Sequence, residues 1–558
     1  MDLEFNLNQS PAVSDDRSPP NYKGIKLKDG TRTNSSNSDA ASIPEIDFRG
    51  LVDSADVPET TYITHAIHKH PAIFIPHIPR HIIESFTSPL NSDGEVPIIL
   101  DPFSGSGTSG LEAKLLGRHY LGVEINPLSK LVSDVATSPI PPTLLERFKR
   151  KIIGELQETD NTYYIEYDVE FLDNTEKEHW FRPDAIKGLT RIRKVLHEFN
   201  YSSVEVRPDL SQEAAAIDDL GVSDDEIRNR VFRWFTLMMA NTVFQVSNAD
   251  PNVSKAHKSK KMRKKIKNND HPPDPVEVYE GELESTQQML IELWNRVYNT
   301  RIPGGNNQEN MSYWEGKTAI EQNRKHQAEV DIRLDDAREF DYPEYHESID
   351  LAITSPPYIN AMNYYRGTKL RLFWIHDFLE EEFNAEKLRK SIVGTNSAEI
   401  KGLNGELPFT LKDHWTGKSE AYRRTDLPQL DEDILEIHNS SLSEARKLGY
   451  VTWKFFVEDM VRALTRTYEH LKPGAHFFFL IGENTIGGRR IESYKFIADI
   501  AQNLGKFEGH GGDLQPDDGY RLVGFAWDEI TNRDLFQGRN HTSGVIEGEW
   551  VVILQKPA

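Results

Sequence analysis

The chain has 558 residues, no cysteine and a formal net charge of -23 at pH 7. The lack of cysteine excludes disulfides, thiolate zinc sites and catalysis through a thiol nucleophile, and the acidic balance means that binding to a polyanion would need a local basic patch. No stretch approaches the roughly 18 apolar residues of a membrane span, and Met1-Asp2-Leu3-Glu4 does not resemble a signal sequence, so we expect a cytoplasmic protein.

The first ordered region is expected to begin at residue 59. Residues 1–58 are rich in Asn, Ser, Asp and Pro and predict a disordered N-terminal arm. In residues 59–139 an apolar run, 97–100, leads into Asp101-Pro102-Phe103-Ser104-Gly105-Ser106-Gly107-Thr108 and then into a helical pattern. Glycine lets the backbone approach a ligand, and the free N–H groups of the following helix point at it. A second strand ends in Glu124, whose carboxylate could accept both hydroxyls of a ribose, which indicates an adenosine-type cofactor.

A long excursion, residues 140–325, is predicted to be helical because Leu189, Ile192 and Val195, like Leu290 and Leu293, recur at helical spacing. It contains the one strongly basic stretch of an acidic chain, 255–267. One interpretation is a phosphate-binding arm, and the other is a solvated charged loop. The candidate phosphate ligands are Lys258, Lys260, Lys261, Arg263, Lys264 and Lys265.

Residues 326–375 are predicted to return to the sheet with a third strand, 330–338, that ends in carboxylates, and a fourth, 349–354. The fourth strand delivers Ser355-Pro356-Pro357-Tyr358. Two prolines fix φ and remove two donors, so carbonyl acceptors stand in a stiff geometry beside an aromatic ring. Such a site suits the planar amino group of a nucleobase flipped out of its duplex.

The segment after this tetrapeptide mixes aromatic and cationic residues. We expect Leu370, Phe373 and Trp374 in the core, Tyr364, Tyr365 and Arg366 near nucleic acid, and Lys369 and Arg371 at phosphates. Residues 376–450 form a polar insert with a candidate DNA contact at Trp415, Arg423 and Arg424. Residues 451–558 predict a helix that stops at Lys472-Pro473-Gly474, a buried strand at 476–481 and a closing strand at 551–554.

Together, Asp101-Pro102-Phe103, the Gly105–Thr108 loop, Gly122-Val123-Glu124-Ile125-Asn126-Pro127 and Thr354-Ser355-Pro356-Pro357-Tyr358 resemble the amino-group DNA methyltransferases that use S-adenosylmethionine. The Ser-Pro-Pro-Tyr form looks most like the branch that methylates N4 of cytosine. The resemblance implies an α/β fold: a Rossmann-like, doubly wound, seven-stranded sheet with a reversed edge strand and a largely helical insert. The N-terminal arm and the 140–325 insert, a candidate target-recognition region, fall outside it.

The resemblance also implies the site residues. The catalytic set is Ser355, Pro356, Pro357 and Tyr358. The cofactor-binding set is Phe74, Asp101, Pro102, Phe103, Gly105, Gly107, Thr108, Glu124, Asn126 and Asp336, with Asp335 as competitor for the adenine amino group of the cofactor. DNA contacts are expected from the six basic residues above together with Tyr365 and Arg366.

The predicted function is site-specific transfer of a methyl group to an exocyclic amino group of a flipped base, most simply N4 of cytosine, with N6 of adenine as the alternative. DNA is the expected partner, with a restriction endonuclease as a candidate second one. Gly105-x-Gly107-x-x-Gly110 followed by Glu124 also fits an NAD-dependent oxidoreductase, and a noncatalytic DNA-binding subunit is a further alternative. Prolines interrupt the cluster His65, His68, His70, His77 and His81, so we expect no metal there.

Overall fold

The computed structural model of the protein describes residues 60–68, 74–207, 221–250, 256–268, 270, 272–298, 328–359, 364–394, 427–442, 445–507, 514–529 and 548–558. The expected N-terminal arm and the residues Trp415, Arg423 and Arg424 lie outside this part of the chain. Within it, no helix combines the length and the apolar character that crossing a membrane requires.

The centre of the fold is one sheet of seven strands with a separate two-stranded hairpin. The strands are β1 Ile98–Asp101, β2 His119–Glu124, β3 Val330–Leu334, β4 Ile349–Thr354, β5 Leu471–Gly482, β6 Asn484–Ile486, β7 Arg489–Ile491, β8 Arg521–Glu529 and β9 Gly548–Gln555. The order in the main sheet is β3-β2-β1-β4-β5-β9-β8, and β6 pairs with β7. The first five strands are parallel, as in a doubly wound sheet, which confirms the predicted fold class.

The reversed strand is not at the edge, contrary to our expectation. Strand β9 is antiparallel to both β5 and β8 and lies between them. The chain passes through a helix at 493–502, forms β8 at the outer edge and then turns back, so the last strand fills the space beside β5. The sheet therefore ends in β8, a strand that the sequence pattern did not identify.

Both faces of the sheet are covered. Along the central strands, successive apolar side chains point to opposite faces, so each face must be buried. Ile99 of β1 and Phe478 of β5 belong to one apolar cluster, whereas Leu100 and Phe477 belong to another. Three helices belong to the first part of the chain: α1 His77–Phe86, α2 Thr108–Leu115 and α3 Pro127–Thr137. The burial of both faces explains why these strands are nearly continuous apolar runs.

The residues between β2 and β3 form a helical unit, as expected. Its helices are α4 Pro142–Glu158, α5 Lys177–Trp180, α6 Pro183–Glu198, α7 Asp224–Val246, α8 Lys260–Lys267 and α9 Pro275–Tyr298. The predicted helical positions at 189–196 and 289–297 lie in α6 and α9. Helix α7 is largely enclosed, with Trp234, Phe235 and Met238 fully buried.

The second half of the chain supplies the remaining helices. They are α10 Tyr364–Ile375, α11 Ala385–Ser391, α12 Pro428–Asn439, α13 Ala445–Trp453, a π-helical stretch Lys454–Met460, α14 Val461–His470 and α15 Ser493–Gln502. The predicted helix before β5 thus ends at His470, and the strand already begins at Leu471. Leu370, Phe373 and Trp374 are buried as expected.

The helical insert is packed onto the rest of the fold through α3 and α10. Side chains of α7, of α3 and of α10 belong to one apolar cluster. A polar clamp reinforces this junction, because the buried Arg193 of α6 donates to both carboxylate oxygens of Asp377, at 2.7 and 2.6 Å. Arg193 also donates to the backbone carbonyls of Tyr167 and Trp374, both at 2.7 Å. The insert is therefore fixed to the end of α10.

We expect Arg193→Met to destabilise the protein by about 3 kcal/mol, because it leaves two carbonyl groups without this donor and Asp377 with His197 as its remaining side-chain hydrogen-bond partner. The measurement is the thermal unfolding transition. The control is Lys194→Met on the next residue, whose ion pair with Glu198 is solvent-exposed and should contribute about 0.5 kcal/mol. Equal melting temperatures for the two variants would contradict a stabilising role of the clamp.

Candidate active site

Asp101, the last residue of β1, connects the two motifs. Its Oδ1 accepts from the Thr354 hydroxyl at 2.7 Å and from the Phe103 amide at 3.0 Å, and Oδ2 accepts from Ser109 at 3.0 Å. Burial raises the pKa of Asp101 to about 6, although these three hydrogen bonds oppose the rise. Because β1 pairs directly with β4, residues 101–110 and 354–358 lie at the same carboxyl edge of the sheet.

The glycine loop has the tight geometry that its sequence predicts. Gly105 has φ +56°, and its amide donates to Glu124 Oε2 at 2.8 Å. Gly107 has φ +79° and lies directly before α2, which begins at the buried Thr108. A Cβ on Gly107 would stand 2.0 Å from Ser133 Oγ, whereas one on Gly105 would meet only a carbonyl oxygen at 3.8 Å. The loop is thus pressed against α3 at Gly107 and open at Gly105.

Glu124 ends β2 beside this loop. Its Oε1 accepts from the Asn126 amide at 2.7 Å, and burial raises the pKa of Glu124 to about 7. Burial, and after it the Glu124 carboxylate, raises the pKa of the Tyr364 hydroxyl. Helix α10 lies near the same edge, because Asn126 donates to Thr368. Each Glu124 oxygen keeps a lone pair after these contacts, because a carboxylate accepts about four hydrogen bonds.

Asn126, expected to contact the cofactor, is buried and holds two helices. Its Oδ1 accepts from the Leu128 amide at 3.1 Å and caps α3, and its Nδ2 donates to Thr368 of α10 at 3.4 Å. This is the usual role of an N-cap asparagine. Its side chain therefore fixes α3 and α10 beside Glu124, and a direct contact with the cofactor stays a prediction.

The two acidic residues after β3 are both engaged. The carboxylate of Asp336 faces the guanidinium of Arg338, with Oδ1 2.8 Å from Nε and Oδ2 2.5 Å from Nη2. Asp335 accepts from its neighbour's amide at 2.7 Å and from the Tyr342 hydroxyl at 3.1 Å. Both oxygens of Asp336 are therefore engaged by the Arg338 guanidinium. Which of the two contacts the cofactor stays a prediction.

The Ser-Pro-Pro-Tyr segment leaves the sheet at the end of β4 with Pro356 buried and with Ser355, Pro357 and Tyr358 partly buried. The Tyr358 hydroxyl donates to Glu549 Oε1 at 2.5 Å. Glu549 lies at the start of β9, opposite Gly482 of β5. Burial raises the pKa of Glu549. No motif marks this residue, which precedes the apolar run of β9, so sequence reasoning missed it.

Phe74 is partly buried and packs with Ile78, Ile99 and Ile353 in the apolar cluster on one face of the sheet. The preceding residues 69–73, including His70 and Ile73, lie outside the described part of the chain. Pro102 is buried, and Phe103 packs with the cluster on the opposite face. These three residues line the two sides of the strand end that carries Asp101.

The basic stretch forms helix α8, which begins at the cap residue Ser259. Lys260, Lys261, Arg263, Lys264 and Lys265 are exposed, and Lys258 lies over the Trp180 ring at 5.7 Å. The Ala256 amide donates to the Arg366 carbonyl at 3.2 Å, so this segment runs beside the start of α10. The side chain of Arg366, on α10, is exposed.

Tyr365 and Arg371 are wrongly predicted as nucleic-acid contacts. Tyr365 is 4% exposed and its hydroxyl donates to Asp173 of the insert at 3.0 Å. Arg371 is buried over the Phe244 ring at 3.9 Å and donates to the Gly367 carbonyl. Lys369 donates to Thr175 at 2.6 Å. All three face the insert, because α10 is covered by α7 and the segment before α5.

The histidines near the N-terminal segment are not assembled around a metal in the part of the chain described. His65 lies 2.8 Å from Glu112, and His68 lies 2.5 Å from Asn241. Among described residues the single group with ligand-type spacing is Asp341, His346 and His470. The two ring nitrogens of His470 already contact the Arg466 carbonyl at 2.7 Å and the Tyr342 amide at 3.0 Å. That group therefore reads as a hydrogen-bonded structural cluster.

Comparison with known proteins shows similarity to DNA methyltransferases. A family model for N6/N4 methyltransferases, described as DNA methylase, matches residues 16–131, which include Asp101, the glycine loop and Glu124. The chain is 24% identical over 446 residues to the type II methyltransferase M.MvaI of Kocuria varians, across 76% of this chain and 78% of that protein. The chain is related to the amino-group DNA methyltransferases.

Two further relatives match shorter segments. Identity to the type II methyltransferase M2.MboI of Moraxella bovis is 43% over 63 residues, 11% of this chain and 23% of that protein. Identity to the type II methyltransferase M.MjaII of Methanocaldococcus jannaschii is 26% over 133 residues, 24% of this chain and 23% of that protein. No solved structure matches the chain significantly. The family match starts at residue 16, so the resemblance extends into the segment that we expected to fall outside it.

These matches support a methyltransferase that acts on DNA with S-adenosylmethionine. The polar groups at the carboxyl edge of the sheet fit that cofactor. The buried Asp101 and the partly buried Glu124 are acceptors at this edge, which suits a ligand that carries hydroxyls and an amino group. The open face of Gly105 lets the backbone lie against it.

We expect Gly107→Ala to raise the dissociation constant of S-adenosylmethionine at least about tenfold, because the added Cβ collides with Ser133 and distorts the loop. Isothermal titration calorimetry measures this. The matched control is Gly94→Ala, which has the same φ of +79° in an exposed turn with no atom within 4 Å of the added Cβ. An affinity reduced equally in both variants, or in neither, would contradict a cofactor role for the loop.

Proposed function

We propose that the protein methylates N4 of cytosine at a specific DNA sequence. The observation that carries the proposal is the position of Ser355 at the end of β4, one residue beyond the Thr354–Asp101 hydrogen bond. A serine hydroxyl and the Pro356 carbonyl supply two acceptors for an amino group at the edge where the cofactor-loop motif also ends. N6 of adenine is the alternative, because the matching family includes both specificities.

The proposed chemistry needs positioning more than a reactive side chain. Ser355 and the Pro356 carbonyl accept the two amino protons, which turns the nitrogen lone pair out of conjugation with the ring. Tyr358 stacks on the flipped base and excludes water from one face. S-adenosylmethionine, when bound, supplies an activated methyl group, so no side chain has to act as nucleophile. Asp101 and Glu124 would hold it.

The proposed DNA surface combines α8 with the exposed Arg366. Six cations at 258–265 carry positive charge on a chain whose net charge is -23. Since Ala256 is hydrogen-bonded to the carbonyl of Arg366, these cations flank the start of α10, near Tyr364 and the carboxyl edge. Phosphate contacts there would orient the duplex, while the helical insert would read the target. We propose the insert as the target-recognition region on this basis.

The names of the relatives support one further partner. Each is called a type II methyltransferase, a class of modification enzyme. We propose that this protein likewise works beside a restriction endonuclease of the same site specificity. Its methylated DNA should then resist cleavage by that endonuclease, whereas unmethylated DNA should be cut.

Expression of the chain in a host that lacks DNA methylation, followed by sequencing for modified bases, tests the proposal. We expect N4-methylcytosine within one recurring sequence. N6-methyladenine instead would establish the alternative specificity. Unmodified DNA from cells that contain the folded protein would contradict the proposed activity.

Ser355→Ala should lower the turnover number about a hundredfold or more and leave the affinity for S-adenosylmethionine unchanged, because it removes an acceptor for the target amino group only. The matched control is Ser348→Ala at the opposite end of β4, where the hydroxyl contacts the His346 carbonyl. We measure transfer of labelled methyl groups and cofactor binding in parallel. Loss of cofactor binding in the Ser355 variant would contradict its assignment.

Affinity for S-adenosylmethionine should rise as the pH rises from about 6 to about 8, at most tenfold per pH unit, because Glu124, with a pKa of about 7, becomes a pure acceptor when it ionises. Glu124→Gln should remove this dependence. The cofactor's own titration is common to both proteins and cancels in the ratio of their affinities. A ratio that does not vary with pH would show that Glu124 does not bind the cofactor.

A further inference from the structure

The hydrogen bond between Tyr358 and Glu549 joins the Ser-Pro-Pro-Tyr segment to a strand that no motif assigns. The distance between Tyr358 Oη and Glu549 Oε1 is 2.5 Å, which is short for a hydroxyl donating to a carboxylate. Glu549 is paired in register with Gly482, so its backbone is held at the carboxyl end of β5, beside the end of β4. Two strands therefore fix the distance between this carboxylate and the tetrapeptide.

The direction of this hydrogen bond determines what the other atoms of the segment can do. An ionised carboxylate only accepts, so the Tyr358 proton is committed to Glu549 and the lone pairs of Oη are left for another donor. The Ser355 side chain hydrogen-bonds to the same hydroxyl and opposes the rise in the Tyr358 pKa that burial and Glu549 cause. Because the one Tyr358 hydroxyl proton is donated to Glu549, Tyr358 Oη can only accept from Ser355, and the Ser355 hydroxyl is then the donor in that contact.

A serine in the first position of the tetrapeptide has a specific difficulty. Its hydroxyl is both donor and acceptor, whereas the amino group of a base needs an acceptor. With its proton given to Tyr358, Ser355 presents only lone pairs to the cleft. This makes the orientation of one buried proton a condition for the binding of the target amino group.

We propose that Glu549 is a positioning residue that orients a Ser355–Tyr358–Glu549 hydrogen-bond relay, so that the Ser355 hydroxyl acts as a pure acceptor and the Tyr358 ring is held against the target base. The inference rests on the proposed function of Ser355 and Tyr358 as the site of the flipped base. It assigns to Glu549 no contact with DNA or cofactor.

Glu549→Leu tests the relay, because it leaves the Tyr358 hydroxyl without its acceptor. The hydroxyl then donates to Ser355 and competes with the base, and kcat/KM for DNA should fall about ten- to a hundredfold. Tyr358→Phe in the same chain removes the misdirected donor, so the double variant should recover to within about threefold of the Tyr358→Phe single variant. Glu549→Gln, whose amide oxygen still accepts, should stay within about threefold of the wild type.

The controls separate the relay from stability and from direct contact with the base. Glu344 accepts from Arg333 at 2.9 Å in an exposed pair outside the insert, so Glu344→Leu should leave kcat/KM unchanged. Glu549→Ala repeats the loss of the acceptor without added volume in case leucine disrupts the fold. Cofactor affinity and melting temperature are measured for every variant.

A double variant as inactive as Glu549→Leu, with a correct melting temperature, would overturn the relay and indicate that Glu549 contacts the base itself. An impaired Glu549→Gln would overturn it as well. An inactive wild-type protein would instead contradict the proposed function, so the two failures are distinguishable.

Discussion

The hydrogen bond from Thr354 to Asp101 is the constraint on which the site depends. It joins the ends of two adjacent parallel strands whose motifs are 253 positions apart in the chain, and it is buried, so neither partner can exchange it for water. Asp101 also shapes the glycine loop through Phe103 and helix α2 through Ser109. Replacement of this carboxylate would therefore disturb the cofactor loop and the start of the Ser-Pro-Pro-Tyr segment together.

The acidic groups at this edge are costly in the absence of ligands. Burial raises the pKa values of Asp101, Glu124 and Glu549, which means that the fold penalises their ionised forms. Carboxylates kept in such surroundings despite the cost are typical of functional sites. The exposed cations of α8 lie on a different element from these three carboxyl groups, so acidic and basic groups occupy separate parts of the fold.

The sequence predicted the features that depend on residues close together in the chain. The glycine loop, the strand ends at Asp101 and Glu124 and the burial of Leu370, Phe373 and Trp374 follow from spacing and residue type. Features that depend on distant partners were missed. Tyr365 is buried by Asp173, 192 positions away, and α7 is enclosed by other helices, so it lacks the polar face that marks a surface helix. The role inferred for Glu549 rests on its hydrogen bond with Tyr358, which the sequence does not reveal.

The position of the helical insert has an evolutionary consequence. It begins after α3 and ends before β3, and β2 and β3 are parallel neighbours, so α3 alone could make the crossover between them and a short connection could then join α3 to β3. Recombination between relatives could thus exchange the whole segment without altering the order of the central strands. Its apolar contacts with α3 and α10 restrict that freedom, because a foreign segment must fit against Leu370, Phe373 and Trp374. A chimaera that fails to cover these side chains would expose aromatic surface and aggregate.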